Sequence, residues 1–269
     1  MSDVFVYPLL LGTKVSNKSV SIIDHEPEEY TGAISAFCIV SADKNILVDT
    51  GLSFDRSFQE KYYAMAFKME VFHPITEEQK LPNALKRIGL GIEDIDLVII
   101  THTHFDHVGN LNLFPNTEIV IQRKELINSI IPNMPSFNRL RFPGPVWVEA
   151  PITPFGLIPM LQEGWTVNFR LVDGDQKITE NVSVMLTPPH SLGLQSVIVR
   201  TNRGFVVLPS DNVPTFENWQ FQRAAARYGG SKKQYLKETY ESFRKIRELK
   251  PFLVLPSHDI KVFEKEKYP

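Results

Sequence analysis

Leu97-Val98-Ile99-Ile100-Thr101-His102-Thr103-His104-Phe105-Asp106-His107 is the stretch that decides the fold. Its first four residues are branched aliphatics with no polar break, the pattern of a strand buried on both faces. The residues after that run therefore sit at the carboxyl end of the strand, the rim where open α/β sheets place ligands and catalysis. Four metal-capable side chains, His102, His104, Asp106 and His107, fall within six residues there. Burying three imidazoles and a carboxylate so close together without a cation is costly, because each needs a hydrogen-bond partner or repels its neighbours once protonated.

The chain carries seven histidines, and two of the other four stand in the same context. Val184-Met185-Leu186-Thr187-Pro188-Pro189 runs into His190, and Phe252-Leu253-Val254-Leu255-Pro256-Ser257 runs into His258. Phe205-Val206-Val207-Leu208-Pro209-Ser210 ends likewise at Asp211. A lone His after a strand is more often a hydrogen-bonded structural residue than a ligand. Here four such junctions together offer five imidazoles and two carboxylates. Imidazole nitrogen with carboxylate oxygen suits zinc, iron or manganese, whereas calcium and magnesium take mostly oxygen. His25, among Asp24, Glu26, Glu28 and Glu29, reads as a solvated loop residue; His73, before Pro74, reads as one that packs or faces water.

This ordered set, His-x-His-x-Asp-His followed by His190, Asp211 and His258, resembles the metallo-β-lactamase superfamily. Leu47-Val48-Asp49-Thr50-Gly51 and Asp94-Ile95-Asp96-Leu97-Val98-Ile99-Ile100-Thr101 match its supporting motifs. Within the superfamily the chain is most similar to N-acyl-homoserine lactonases and related lactone hydrolases. His104-Phe105-Asp106-His107-Val108-Gly109-Asn110, His190-Ser191-Leu192-Gly193-Leu194-Gln195-Ser196 and Ser257-His258-Asp259 carry that narrower likeness. The resemblance implies an α/β fold, an αββα sandwich of two mixed sheets flanked by helices. It implies that His102, His104 and His190 hold one metal ion, that Asp106, His107 and His258 hold another, and that Asp211 bridges them. The implied cofactors are two divalent ions, zinc before iron or manganese. Their bridging hydroxide would open the ring of an N-acyl-homoserine lactone, a quorum-quenching reaction, with Asp106 and Asp211 as the catalytic carboxylates. One position departs from the pattern. The better-known lactonases have a tyrosine three residues after the bridging aspartate, and this chain has Pro214. Either the second ion takes more of the oxyanion charge or Tyr30, Tyr62, Tyr63 or Tyr228 substitutes.

Such chemistry needs no serine or cysteine nucleophile. The chain has no Gly-x-Ser-x-Gly elbow, and its one cysteine, Cys38, lies in the apolar run Ala36-Phe37-Cys38-Ile39-Val40 and reads as a buried structural thiol. Asp49 reads either as a group that orients a ligand imidazole or as a simple turn carboxylate.

At 269 residues and 43% apolar content, the chain suits one large core, and a single domain over 1–269 is expected. A net charge of −2, from 29 basic and 31 acidic residues, leaves no electrostatic footprint for nucleic acid. No stretch has the apolar length of a membrane span, and Met1-Ser2-Asp3-Val4 lacks the basic and apolar regions of an export signal. With a single cysteine, a cytoplasmic protein is expected.

Short β-rich runs dominate residues 4–50, turning at Asp43-Lys44-Asn45. Helices are predicted over 82–88, 123–130 and 231–249, the last with a Ser231/Gln234 capping box and a stripe of Leu236, Tyr240, Phe243 and Ile246. Strands are predicted over 167–172 and 182–186, around Asp173-Gly174-Asp175. Residues 131–166 break this regularity, because seven prolines forbid a long helix or central strand. With Phe137, Phe142, Trp147 and Met160, this loop insertion is expected to wall the metal centre, so that the small-molecule substrate carries an apolar tail beside its hydrolysable carbonyl. A homodimer contact or plain packing against the sandwich is its other use. Residues 53–72, with Phe54, Phe58, Tyr62, Tyr63, Met65 and Phe67, offer a second surface for substrate or dimer contact.

Competing readings differ in what they require. A thioesterase of the glyoxalase II kind shares the ligands but continues into a helical, basic region after the last histidine, and eleven residues follow His258 here. Another metal-dependent carbonyl or ester hydrolase would use the same ligand set. A small-ligand-binding protein on the same fold is favoured by missing ligands, and all seven stand in place.

Overall fold

The computed structural model describes residues 3–67, 72–130, 167–226 and 231–269, so the insertion expected at 131–166 and Tyr228 lie outside the described residues. Strands β1 (Phe5–Asn17), β2 (Glu29–Val40), β3 (Asn45–Val48), β4 (Leu97–Ile99), β5 (Glu118–Gln122) and β6 (Asn168–Val172) lie side by side in that order. The first three are antiparallel neighbours, and β3 to β6 run parallel. A second sheet holds β7 (Gln176–Lys177), β8 (Val182–Leu186), β9 (Gln195–Thr201), β10 (Gly204–Leu208) and β11 (Leu253–Val254), with only β10 and β11 parallel. Both sheets are therefore mixed.

Successive strand residues point to opposite faces, and here both faces are buried. Between the sheets, Phe37, Ile39, Leu97 and Ile99 meet Val197, Val199, Val206 and Leu208. Their alternates go outward. Beyond the short α1 (Lys18–Ser21), Ala36, Cys38 and Val98 pack under α2 (Arg56–Phe67) and α3 (Leu81–Lys86), through Phe58, Tyr62, Leu81 and Leu85. Ile198 and Val207 pack with Ile246 of the long helix Lys232–Glu248. The layers run helix, sheet, sheet, helix, as the resemblance implies. Burial pushes the Cys38 thiol up to about 12, in keeping with a structural role. Among the described residues no helix is long and apolar enough to cross a membrane.

The structure revises several local expectations. The long helix turns Thr239, Ser242, Phe243 and Ile246 inward and leaves Tyr240 44% exposed. Helical spacing alone admits either face here, and the polar choice is satisfied because Thr239 Oγ–H donates to the Tyr235 carbonyl (2.9 Å) and Ser242 Oγ–H to that of Pro188 (2.5 Å). Only half of the predicted capping box forms: Ser231 Oγ accepts from the Gln234 N–H (3.4 Å), while the Gln234 amide reaches Glu238. The turn at 173–175 carries the chain between sheets, so β6 and β8 do not pair and β7 pairs with β8 instead. Within 53–72, Phe58 and Tyr62 belong to the core, with Tyr62 stacked on Phe105 at 3.6 Å between ring centroids. Those two rings serve packing rather than an exposed surface.

Candidate metal centre

Because β3 and β4 are parallel neighbours, their carboxyl ends lie together and bring Asp49 to the loop after β4. Thr101 donates to Asp49 through its N–H (2.8 Å) and its hydroxyl (2.7 Å). Asp49 adopts a left-handed φ of +60°, which aspartate tolerates better than most residues. Its Oδ2 also lies 2.7 Å from His107 Nδ1, so Asp49 is an orienting carboxylate and not a bare turn residue. His258 Nδ1 is anchored in the same way on the Ala33 carbonyl (2.8 Å). His102 Nδ1 lies 3.2 Å from the Thr101 hydroxyl and 3.4 Å from that of Ser210. In these three rings Nδ1 is held at the periphery and Nε2 faces inward.

Asp211, in a short 3₁₀ turn (Ser210–Asn212) just after β10, occupies the middle. Its Oδ1 lies 3.2 Å from His107 Nε2, and its Oδ2 lies 3.0, 3.5 and 3.9 Å from Nε2 of His258, His190 and His102. Ser257 Oγ–H donates to Oδ1 (2.7 Å) and fixes the carboxylate. His190 Nε2 and His104 Nδ1 are 3.0 Å apart. One potential ligand atom from each of His102, His104, His190 and Asp211 lies within 4.8 Å of the others, and the same holds for Asp106, His107 and His258. The structure thus gathers these seven side chains into a group of four, with Asp211 beside His102, His104 and His190, and a group of three. His25 pairs with Glu217 (3.4 Å) and His73 lies edge-on to Tyr63, both outside these groups.

Burial, with His107 and His104 nearby, pushes His102 well below the ordinary imidazole range. Burial and His190 take His104 down to about 3, and burial lowers His190 as well. Such rings are neutral at pH 7 and offer lone pairs. Burial also opposes charge on His107, but Asp211 and Asp49 outweigh it and raise that pKa well above the usual value. Against the burial penalty, His258 and His107 hold Asp211 well below the carboxylate range, and Lys14, His107 and His258 do so for Asp106. His102 Nε2 is buried without a hydrogen bond. A buried polar atom left so costs about 1–3 kcal/mol, which coordination would relieve. The donor chemistry fits two divalent ions of the zinc, iron or manganese type.

The family model of the metallo-beta-lactamase superfamily matches residues 30–258. The chain belongs to that superfamily. An N-acyl homoserine lactonase of Bacillus cereus is 30% identical over 177 residues, 65% of this chain and 62% of its own length. This chain thus matches less than two thirds of that relative. N-acyl homoserine lactonase AttM of Rhizobium radiobacter is 23% identical over 255 residues, covering 94% and 89% of the two chains. Among solved structures, an N-acyl homoserine lactone hydrolase with the product N-hexanoyl-L-homoserine at its catalytic metal centre superposes with a TM-score of 0.74. It is 23% identical and the match covers 97% of this chain and 95% of that one, a likeness that establishes the fold.

In this superfamily member two further charged residues stand by the donors, Lys14 in direct contact and Glu125 through their neighbours Thr103 and Ser191, and neither stood out in the sequence. Lys14 of β1 donates to Asp106 Oδ2 (3.1 Å) from 92 positions away, with 27% of its side chain exposed. Nothing in the alternation of β1 singles it out. Glu125 lies beneath the histidine loops, fully buried. Pro214, where the lactonase pattern has tyrosine, accepts the His258 N–H on its carbonyl (2.9 Å) and so positions that histidine through the backbone. Of the candidate tyrosines, Tyr30 bonds Ser21 (2.5 Å), Tyr62 is stacked in the core, and Tyr63 lies edge-on to Phe105.

Proposed function

We propose that this protein is a hydrolase that opens the ring of N-acyl-homoserine lactones, with His102, His104 and His190 holding one divalent cation, Asp106, His107 and His258 another, and Asp211 between them. The observation that carries the reading is the gathering of these seven donors into two adjoining groups, with Asp211 facing histidines of both, in a chain similar to proteins named for that activity. Bound there, the cations would polarise the ester carbonyl and lower the pKa of water; zinc is the expected occupant. The remaining work falls to the chain. Asp211 supplies the negative charge between the two groups, and Asp49 and the Ala33 carbonyl hold His107 and His258 facing inward. Lys14 ties one oxygen of Asp106 and sets a positive charge at the solvent side of the site. In the overall reaction, water's oxygen bonds to the carbonyl carbon and the ring C–O bond breaks. The ring oxygen leaves with a proton as the hydroxyl of the acyl-homoserine.

Metal-loaded protein assayed against lactones, thioesters, phosphodiesters and β-lactams should hydrolyse lactones fastest. Preference for thioesters would move the reading to the glyoxalase II kind, and tight ligand binding without turnover would make it a binding protein. If residues 131–166 wall the site, each added acyl methylene contributes up to ~0.8 kcal/mol, so four carbons raise kcat/KM by roughly two orders of magnitude. A flat response to chain length would assign that segment elsewhere, with a homodimer contact then tested by sedimentation.

Lys14→Met should lower kcat/KM roughly three- to tenfold, less than a buried hydrogen bond to a charged group is worth, because water screens this pair. Lys14→Arg should retain most of the activity. Parental kinetics in Lys14→Met would remove Lys14 from the site.

A further inference from the structure

Glu125 is fully buried near the start of α5 (Arg123–Ile130), the helix that follows α4 (Phe105–Val108), and it belongs to neither donor group. Its Oε1 accepts from the N–H and the hydroxyl of Thr103 (both 2.9 Å), and its Oε2 from the Ser191 hydroxyl (2.7 Å) and the Gly193 N–H (3.0 Å). Thr103 stands between His102 and His104, and Ser191 follows His190. One carboxylate therefore joins the two loops that carry the three imidazoles of one group. The joint is close: a Cβ on Gly193 would lie 2.3 Å from the Glu125 backbone nitrogen.

A neutral brace already ties the chain segments behind these loops, through Gln195 Nε2–H to the Ile100 carbonyl (2.8 Å) and Gln122 Nε2–H to Gln195 Oε1 (2.9 Å). A buried carboxylate costs several kcal/mol to desolvate unless it is fully satisfied. Its place at the imidazole loops, with each oxygen accepting two hydrogen bonds, suits the setting of ligand geometry more than the joining of strands.

We infer that Glu125 is a positioning residue for one of the two cation sites: it fixes the separation of His190 from His102 and His104 and thereby sets the affinity of that site selectively. The inference rests on the two-cation reading of the proposed function and is independent of the lactone substrate.

The test is a Co(II) titration of the full chain, stripped of metal with a chelator, followed by visible absorbance and calorimetry without substrate. Glu125→Gln keeps the shape, but its amide group must oppose either the Thr103 or the Ser191 and Gly193 donors. The parent should bind two equivalents. The variant, folded by circular dichroism, should bind one with parental affinity and the other about 10–100-fold more weakly. Ser191→Ala, a milder break of the same joint, should weaken the same equivalent and keeps the test decisive if Glu125→Gln does not fold. Equal weakening of both equivalents, parental affinity for both, or a parent that binds no Co(II) would overturn the inference. Selective loss in a protein that hydrolyses no lactone would uphold it and defeat the proposed substrate.

Discussion

Asp211→Asn should lower lactone hydrolysis by more than about 100-fold while leaving the fold intact. Outer-sphere partners of metal ligands typically cost 10–100-fold when replaced, and a carboxylate between two cations should cost more. Asp211 lies 3.0–3.9 Å from the inward nitrogens of four histidines, the positions that would surround such cations. Asparagine has the same shape and can still accept from Ser257, yet it removes the negative charge and can turn N–H donors toward the site. Steady-state kinetics on metal-supplemented variant, with metal content and far-UV circular dichroism measured alongside, checks this. Turnover within a few-fold of the parent would end the two-cation reading.

Gly109→Ala should lower stability by about 3 kcal/mol, the upper part of the range for overpacking, and the melting temperature by roughly 6–12 °C. The backbone of Gly109 is ordinary helix, with φ of −63°, so contact alone decides the outcome. A Cβ there would lie 2.1 Å from the Ser53 nitrogen and 2.7 Å from the Gly51 oxygen, both backbone atoms without rotamers to yield. The segment after β3 is fastened to the segment after His107: Gly109 N–H donates to the Gly51 carbonyl (2.8 Å), and the Asn110 amide to those of Thr50 (2.7 Å) and Leu52 (2.8 Å). Forcing them apart also disturbs the Asp49 to His107 contact, so metal affinity should fall with stability. Calorimetry of the variant decides: an unshifted melting temperature would mean that the two segments are looser than this geometry.

The bounds of β8 and α5 match the sequence expectation because local patterning sets them: a short branched run between turn residues, and a helix starting at the end of a buried strand. The seven donors were legible for a related reason. They follow apolar strands at four junctions, and although a lone His there is commonly structural, five imidazoles and two carboxylates together have few structural uses. The sequence by itself therefore determined the candidate donors and the class of ion that suits them, and its resemblance to the superfamily carried the layered architecture. The tertiary structure alone decided their arrangement and support. Asp49 could be a turn carboxylate until β3 and β4 lie parallel and set it against Thr101 and His107. Lys14 and Glu125 act on residues 92 and 66 positions away, at Asp106 and Ser191. Thr239 faces inward in place of Tyr240 because hydrogen bonds to Tyr235 and, beside it, from Ser242 to Pro188 satisfy a polar face. Periodicity reports which face of an element is apolar, but contacts between distant segments depend on how the sheets stack, and no local pattern encodes them.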